Sequence, residues 1–356
     1  MGALSISFFG SSLVSSYWNG AATYYRGLVR ALHRQGHRVT FYEPDAYERQ
    51  SHRDMDDPEW ARVVVYPATE EALFRCLEQA HGSDLIIKAS GVGVFDELLE
   101  QEVVLLKGGT TRVVFWDVDA PATLERITAN REDPFRRLIP RYDMILTYGG
   151  GAPVVSAYRS FGARDCVPIY NGLDPDTHFP VPPDPRFSAD LSFLGNRLPD
   201  RERRVEDFFL SVAGHLPGRK FLLAGSGWAD KWRGENISYL GHLGTRDHNA
   251  FNCSPRAILN ISRSSMAHNG FSPATRVFEA AGAGACIITD RWEGIEHFFE
   301  PDSEIMVAGS GGEVAEILER LTPERAALVG KRALARVRAE HTYAHRARQF
   351  ETIFCA

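Results

Sequence analysis

Residues 4–42 read LSISFFGSSLVSSYWNGAATYYRGLVRALHRQGHRVTFY. The apolar run Leu4 to Phe9 stops at Gly10-Ser11-Ser12, and a polar loop follows. From about Asn19 to Gln35 apolar residues recur at helical spacing, Gly36 ends that pattern, and a second apolar run spans Arg38 to Tyr42. This is a β-loop-α-β unit. Its two strands must be parallel, because a crossover helix carries the chain back to the end of the sheet from which it started.

The same alternation continues outward. Helix Glu70 to Ala80, strand Asp84 to Lys88, helix Val94 to Leu106, strands Arg112 to Trp116 and Asp143 to Thr147, and helix Pro153 to Phe161 predict a doubly wound parallel sheet covered on both faces. Between Pro168 and Asp190 the rhythm fails, because Pro175, Pro180, Pro182, Pro183 and Pro185 resist helix and sheet interiors alike. It then restarts with strand Leu191 to Leu194, a helix from about Arg201, strands Lys220 to Leu223, Ser238 to Leu240 and Ala257 to Ile261, helix Pro273 to Ala283 and strand Ala285 to Thr289. Helices Gly312 to Leu321 and Pro323 to Phe350 close the chain, the second broken near His341-Thr342.

The predicted division is therefore an N-terminal α/β domain over residues 1–172, a Pro-rich linker over 173–190, a second α/β domain over 191–340, and a final helix over 341–356 that packs back on the first domain. A length of 356 residues suits two such domains. Two doubly wound, Rossmann-like sheets in tandem imply a central cleft onto which the carboxyl ends of both sets of strands open, and ligands bind at those ends.

Composition excludes several classes. With 40 basic against 46 acidic residues the net charge is -6, which provides no basic field for nucleic acid. The five cysteines are widely spaced and form no C-x-x-C pair, so they read as reduced thiols of a cytoplasmic protein. No stretch reaches the roughly 18 to 20 apolar residues of a membrane span, which leaves only peripheral membrane contact. Gly10-Ser11-Ser12 is not a G-x-G-x-x-G fingerprint, and neither a P-loop lysine nor a G-x-S-x-G elbow is present. Dinucleotide oxidoreductase, kinase-like and hydrolase readings are disfavoured on that ground.

The chemistry-bearing stretch is SRSSMAHNGFSPATRVFEAAGAGACIITD, Ser262 to Asp290. Asn269, Gly270, Phe271 and Ser272 lie just before a helix whose first turn holds Thr275. Backbone N–H groups and the positive end of the helix dipole make such a place a phosphate cradle. Arg276 adds a planar donor fork for a diphosphate, and Glu279, one turn on, is placed to accept the hydroxyls of a ribose. An i, i+3 ion pair on an ordinary amphipathic helix is the competing account of those two residues. The small run Ala280 to Ala285 is expected to let the helix lie close to the following strand.

This segment resembles the donor-site signature of glycosyltransferases with the GT-B fold, in particular the spore-maturation CgeB-like group. The similarity extends to Asn171-Gly172-Leu173-Asp174, to DLSFLGNR ending at Gly195-Asn196-Arg197, to Tyr239-Leu240-Gly241 and to His341-Thr342-Tyr343. The resemblance implies two Rossmann-like domains and transfer of a sugar from a nucleoside-diphosphate sugar, UDP-sugar by default, to a hydroxyl of a glycan or small molecule. It also implies that the first domain takes the acceptor and the second the nucleotide-sugar donor, with a diphosphate at the helix start and a ribose on Glu279. One departure stands out: retaining members of the fold with a Glu-x7-Glu pattern carry a glutamate where this chain has Phe271.

Other loops supply further donor-binding candidates: Asn196 and Arg197 with Arg201 after one strand, Ser226 and Gly227 after the next, and Tyr239, Gly241 and His242 after a third. Solvated surface is the alternative for the arginines. In the first domain Asn19 and Gly20 are candidates for the donor phosphates, with helix capping by Asn19 as the rival, and Trp18 is either a sugar platform or a staple. Asp119, then Asp117, is the candidate base for the acceptor hydroxyl, against a capping role for Asp119. No cofactor and no metal are expected, since a helix dipole and arginines can stabilise the departing nucleotide. A non-catalytic nucleotide-sugar-binding protein, or an epimerase or phosphorylase on the same scaffold, are the alternatives.

Overall fold

The computed structural model describes residues 2–231 and 234–355. The chain divides into two compact units, Met1–Asn171 with Tyr343–Ala356, and Gly172–Thr342.

The first unit is built on β1 (Ser5–Phe9), β2 (Arg38–Asp45), β3 (Arg62–Pro67), β4 (Leu85–Ala89), β5 (Arg112–Asp117), β6 (Met144–Thr147) and β7 (Cys166–Pro168). They form one sheet in the order β3-β2-β1-β4-β5-β6-β7, and every pairing is parallel. Its helices are α1 (Ala22–Arg34), α2 (Glu70–Ala80), α3 (Asp96–Val103), α4 (Ala120–Ala129), α5 (Phe135–Leu138) and α6 (Gly151–Ser160). Because successive residues of a strand point to opposite faces, Phe8 joins Tyr25, Leu28 and Trp116 in one buried core. Phe9 joins Leu73, Leu77 and Phe115 in the other.

The second unit repeats the plan with β8 (Leu191–Leu194), β9 (Phe221–Ala224), β10 (Ile237–Tyr239), β11 (Ala257–Asn260), β12 (Ile287–Asp290) and β13 (Met306–Ala308), again all parallel, in the order β10-β9-β8-β11-β12-β13. Helices α7 (Pro199–Val205) and α8 (Val212–His215) are joined by a π-helical stretch, Glu206–Ser211. After them come α9 (His248–Cys253), α10 (Ser264–Asn269), α11 (Thr275–Gly282), α12 (Gly311–Arg320) and α13 (Pro323–Glu340). Thr322 caps α13 by accepting from the Arg325 amide, and the helix ends at His341, where the chain turns into α14 (Tyr343–Phe354).

Helix α14 belongs to the first unit. Its Tyr343 ring lies against Gly27 of α1, where a Cβ would approach within 2.2 Å, and Phe350 stacks on Trp116 at 6.2 Å between centroids. Its Arg346 guanidinium donates to the Asn171 carbonyl at 3.0 Å.

In both sheets the strand order reverses between the first strand and the fourth of the unit, β1 and β4 in one and β8 and β11 in the other. In open α/β sheets such a reversal, beyond the carboxyl ends of the strands, is where ligands bind. Among the described residues, no helix is long and apolar enough to cross a membrane.

Candidate functional site

In the second unit the loops after β8, β9 and β10 are laced together by their backbones. The Gly225 amide donates to the Gly241 carbonyl at 2.7 Å, the Arg197 amide to the Ser226 carbonyl at 2.9 Å, and the Ser226 amide to Asn196 Oδ1 at 2.9 Å. Tyr239 closes the set by donating its hydroxyl to the Gly225 carbonyl at 3.0 Å. Gly225 has φ +119°, and a Cβ there would fall 2.2 Å from the Gly195 carbonyl oxygen, so only glycine admits this approach. Asn196, Ser226, Gly227, Tyr239 and Gly241 thus share one loop cluster. His242 follows it with an exposed side chain.

The next loop is fixed from below by a buried carboxylate. Asp290, at the end of β12, accepts from the amide and hydroxyl of Ser262 at 3.1 and 3.2 Å and pairs with Arg204 at 2.5 Å. From Ser262 the chain runs through α10, whose start is tied to Asp200 through Arg263 and Ser265 at 3.1 and 2.9 Å. It then reaches Gly270 and Phe271, both with positive φ, +67° and +44°. The Phe271 amide donates to the Glu293 carbonyl at 2.6 Å, and its ring covers Gly294, where a Cβ would come within 2.2 Å. A left-handed phenylalanine is held only where its surroundings over-determine it. The Ser272 hydroxyl bonds the Gly270 carbonyl at 2.9 Å, and the Asn269 amide group bonds the Ser265 carbonyl at 2.9 Å. This loop delivers the chain to the first turn of α11, with Thr275 and Arg276.

Arg276 is half-buried, and among the described residues no hydrogen bond or ion pair engages its guanidinium. Burial lowers its pKa from the ordinary arginine value, and Glu279 acts in the opposite sense. Arg201, at the start of α7, feels it directly. Burial, then the like charges of Arg276 and Arg263, push the Arg201 guanidinium down to about 10. Its Nε is buried without a partner, while a terminal nitrogen donates to the Asn196 carbonyl. Two guanidiniums that repel one another across a partly desolvated space are the electrostatic complement of a polyanion.

Glu279, on the same helix, lies 3.9 Å from His178 Nε2. A second histidine, His248 at the start of α9, has its ring 6.5 Å from that of His178. Burial lowers its pKa, Glu279 raises it, and Arg276 and His178 lower it further. Sequence reasoning missed both histidines. One sits in the Pro-rich segment and the other in a helix of six residues, and neither place carries a periodic or motif signal.

Several expected residues have other work. Arg197 is held by Glu202 at 2.8 Å and Asp230 at 2.9 Å, so its charge is neutralised locally. Helix α11 lies against the following strand, β12, as expected, and the small run after Ala280 also admits other close neighbours: a Cβ on Gly282 would meet Leu173 at 2.3 Å, and one on Gly330 of α13 would meet the Gly284 carbonyl at 2.1 Å.

In the first unit Asp117 is fully buried at the end of β5. It accepts from the Ser90 hydroxyl at 2.7 Å, the Thr123 hydroxyl at 3.0 Å, the Asp119 amide at 3.0 Å and the Tyr158 hydroxyl. With both oxygens taken and no access to solvent, Asp117 is an anchor, which corrects the expectation of a base there. Asp119 is half-buried and occupies the N-cap position of α4 without a side-chain capping bond. Asn19 is also buried: its carboxamide accepts from Ser11 and donates to the Ser12 and Ser15 carbonyls at 2.8 and 3.0 Å. It therefore folds the loop after β1 rather than capping α1, whose N-cap is Ala21. Gly20 beside it is exposed.

Residues 201–352 match the family model described as Glycosyl transferase-like. Among solved structures, HepE from Anabaena in complex with UDP and glucose is similar over 99% of this chain and 100% of that one, with a TM-score of 0.68 at 12% identity. Sucrose-phosphate synthase from Thermosynechococcus elongatus covers 99% and 98% with a TM-score of 0.68 at 14% identity. An alpha-glucosyltransferase in complex with UDP-glucose and DNA containing an abasic site covers 100% of both chains, with a TM-score of 0.72 at 13% identity. No curated protein sequence matches the chain. Its two parallel α/β units therefore have the GT-B fold of glycosyltransferases, and its C-terminal half matches the glycosyl transferase-like family.

Proposed function

We propose that this protein is a glycosyltransferase that moves a sugar from a nucleoside-diphosphate sugar, a UDP-sugar by default, to a hydroxyl group of a glycan or small-molecule acceptor. The observation that carries the reading is the pair of like-charged guanidiniums, Arg201 and Arg276, at the carboxyl edge of the second sheet, the second of them engaged by no hydrogen bond or ion pair among the described residues. The solved relatives whose complexes hold UDP with glucose, or UDP-glucose, support the choice of nucleotide.

In this reading the diphosphate lies against Arg201, Arg276 and the start of α11. Glu279 accepts the ribose hydroxyls, and the loop Tyr239–Gly241 borders the base. The two guanidiniums stabilise the charge that grows on the departing UDP as the bond to the sugar breaks, so the reaction proceeds without a divalent metal. Asp119 takes the acceptor proton. The motifs favour the CgeB-like group and a cytoplasmic setting, with membrane contact no more than peripheral.

The test is UDP release from UDP-glucose, UDP-galactose and UDP-N-acetylglucosamine in the presence of a chelator. The wild type is expected to release UDP from one of them. Arg276→Ala should lower kcat/KM for that donor by about a hundredfold, the scale of a lost transition-state donor. Nucleotide binding without turnover on any donor or acceptor would contradict transfer and favour a binding protein.

A further inference from the structure

One turn beyond Arg276 the second unit sets two acceptors side by side, Glu279 and His178. The histidine comes from residues 174–179 of the Pro-rich segment, which are tied down on two sides. The His178 amide donates to the Asp174 carbonyl at 3.1 Å. The Asn249 carboxamide of α9 donates to the Thr177 carbonyl at 3.0 Å and accepts from the Phe179 amide at 3.3 Å. Against α11 the approach is close, since a Cβ on Gly282 would lie 3.1 Å from the His178 carbonyl oxygen. The backbone thus fixes His178, and its Nε2 comes to rest 3.9 Å from the Glu279 carboxylate.

Hydrogen bonds assign the tautomer of this ring. The Thr177 hydroxyl gives its one proton to the Asp174 carbonyl at 3.1 Å. It therefore meets His178 Nδ1, 2.9 Å away, as an acceptor, so Nδ1 carries the ring proton. In the neutral ring Nε2 holds a lone pair, and it faces a carboxylate that also only accepts, across a distance too long for a hydrogen bond. The two side chains are 12% and 18% exposed. Both are open to a ligand yet largely withdrawn from water, where an unmatched acceptor is costly. His248 is used differently, because its ring is bonded to the Leu243 backbone.

Two neighbouring acceptors, with no donor between them among the described residues, are the complement of a vicinal diol, which has two hydroxyl protons to give. We infer that His178 Nε2 and Glu279 hold the ribose diol together, one hydroxyl each, which makes His178 the residue that selects ribonucleotides over deoxyribonucleotides. The inference rests on the reading that puts a ribose at Glu279. A site built to bond a hydroxyl rejects the analogue that lacks it, because its own polar group is then left unpaired.

The experiment is calorimetry of UDP, 2′-deoxy-UDP and 3′-deoxy-UDP with wild type, His178→Phe and His178→Gln. The wild type is expected to bind UDP about tenfold or more tighter than either deoxy analogue. His178→Phe keeps a ring but no lone pair. It should lose about tenfold for UDP while binding one of the two deoxy analogues as the wild type does, which locates the hydroxyl that His178 accepts. His178→Gln, whose side-chain carbonyl is again an acceptor, should recover part of the preference. A His178→Phe variant that keeps full UDP affinity, or that loses all three ligands by the same factor, would overturn the inference. UDP binding by the wild type without preference over the deoxy analogues would overturn it alone, whereas absence of UDP binding would overturn the UDP-sugar reading with it.

Discussion

At the scale of single residues, what separates the arginines of the second unit is their partners. Arg197 gives its charge to Glu202 and Asp230, whereas among the described residues no side chain hydrogen-bonds to Arg276, whose charge helps to depress the pKa of Arg201. In the sequence Arg276 stands out as a diphosphate ligand, whereas Arg197 and Arg201 are alike as further candidates, with solvated surface as their alternative. Their difference depends on Asp230, more than thirty residues from Arg197, and such pairings are invisible in a linear reading. Asp117 makes the same point, since its donors Ser90, Thr123 and Tyr158 come from three separate elements. Asp117→Ala would leave these buried donors unpaired, each costing about 1–3 kcal/mol. The expected result is a loss of about 3 kcal/mol or more in unfolding free energy, read by urea titration. A variant as stable as the wild type would show that the carboxylate anchors nothing.

At the scale of elements, the loop cluster after β8, β9 and β10 depends on close backbone approach. Gly225→Ala places a methyl group 2.2 Å from the Gly195 carbonyl at a φ of +119°. It should lower stability by about 1–3 kcal/mol and weaken nucleotide binding in calorimetry, because the neighbouring loops must separate to admit it. Unchanged affinity would detach that cluster from the ligand site. The same elements show what was legible beforehand. Helix Glu70–Ala80 and strand Leu191–Leu194 have the expected bounds, and the last long helix breaks at the expected His341-Thr342. Strands Arg62–Pro67, Cys166–Pro168 and Met306–Ala308 went unread. All three lie at sheet edges, where two of them are only three residues long and leave little apolar pattern. Helices α9 and α10, six residues each, are too short to show a helical period. The Asn269–Glu279 stretch was legible because glycine, helix start, arginine and carboxylate coincide in eleven residues of sequence.

At the scale of the whole molecule, one plan appears twice: a parallel sheet that reverses its strand order in the middle and carries its chemistry on the loops beyond that reversal. In the second unit the reversal gathers the arginine pair. In the proposed reading Arg201 and Arg276 hold the diphosphate of a nucleotide. It is tested most directly by calorimetric titration of UDP, GDP, dTDP and ADP into the wild type and Arg276→Ala, with magnesium and with chelator. Micromolar binding of UDP by the wild type, equal under both conditions, is expected, with a loss of about tenfold or more in Arg276→Ala. Absence of binding by any nucleotide, or an Arg276→Ala variant that binds UDP as tightly as the wild type, would contradict it.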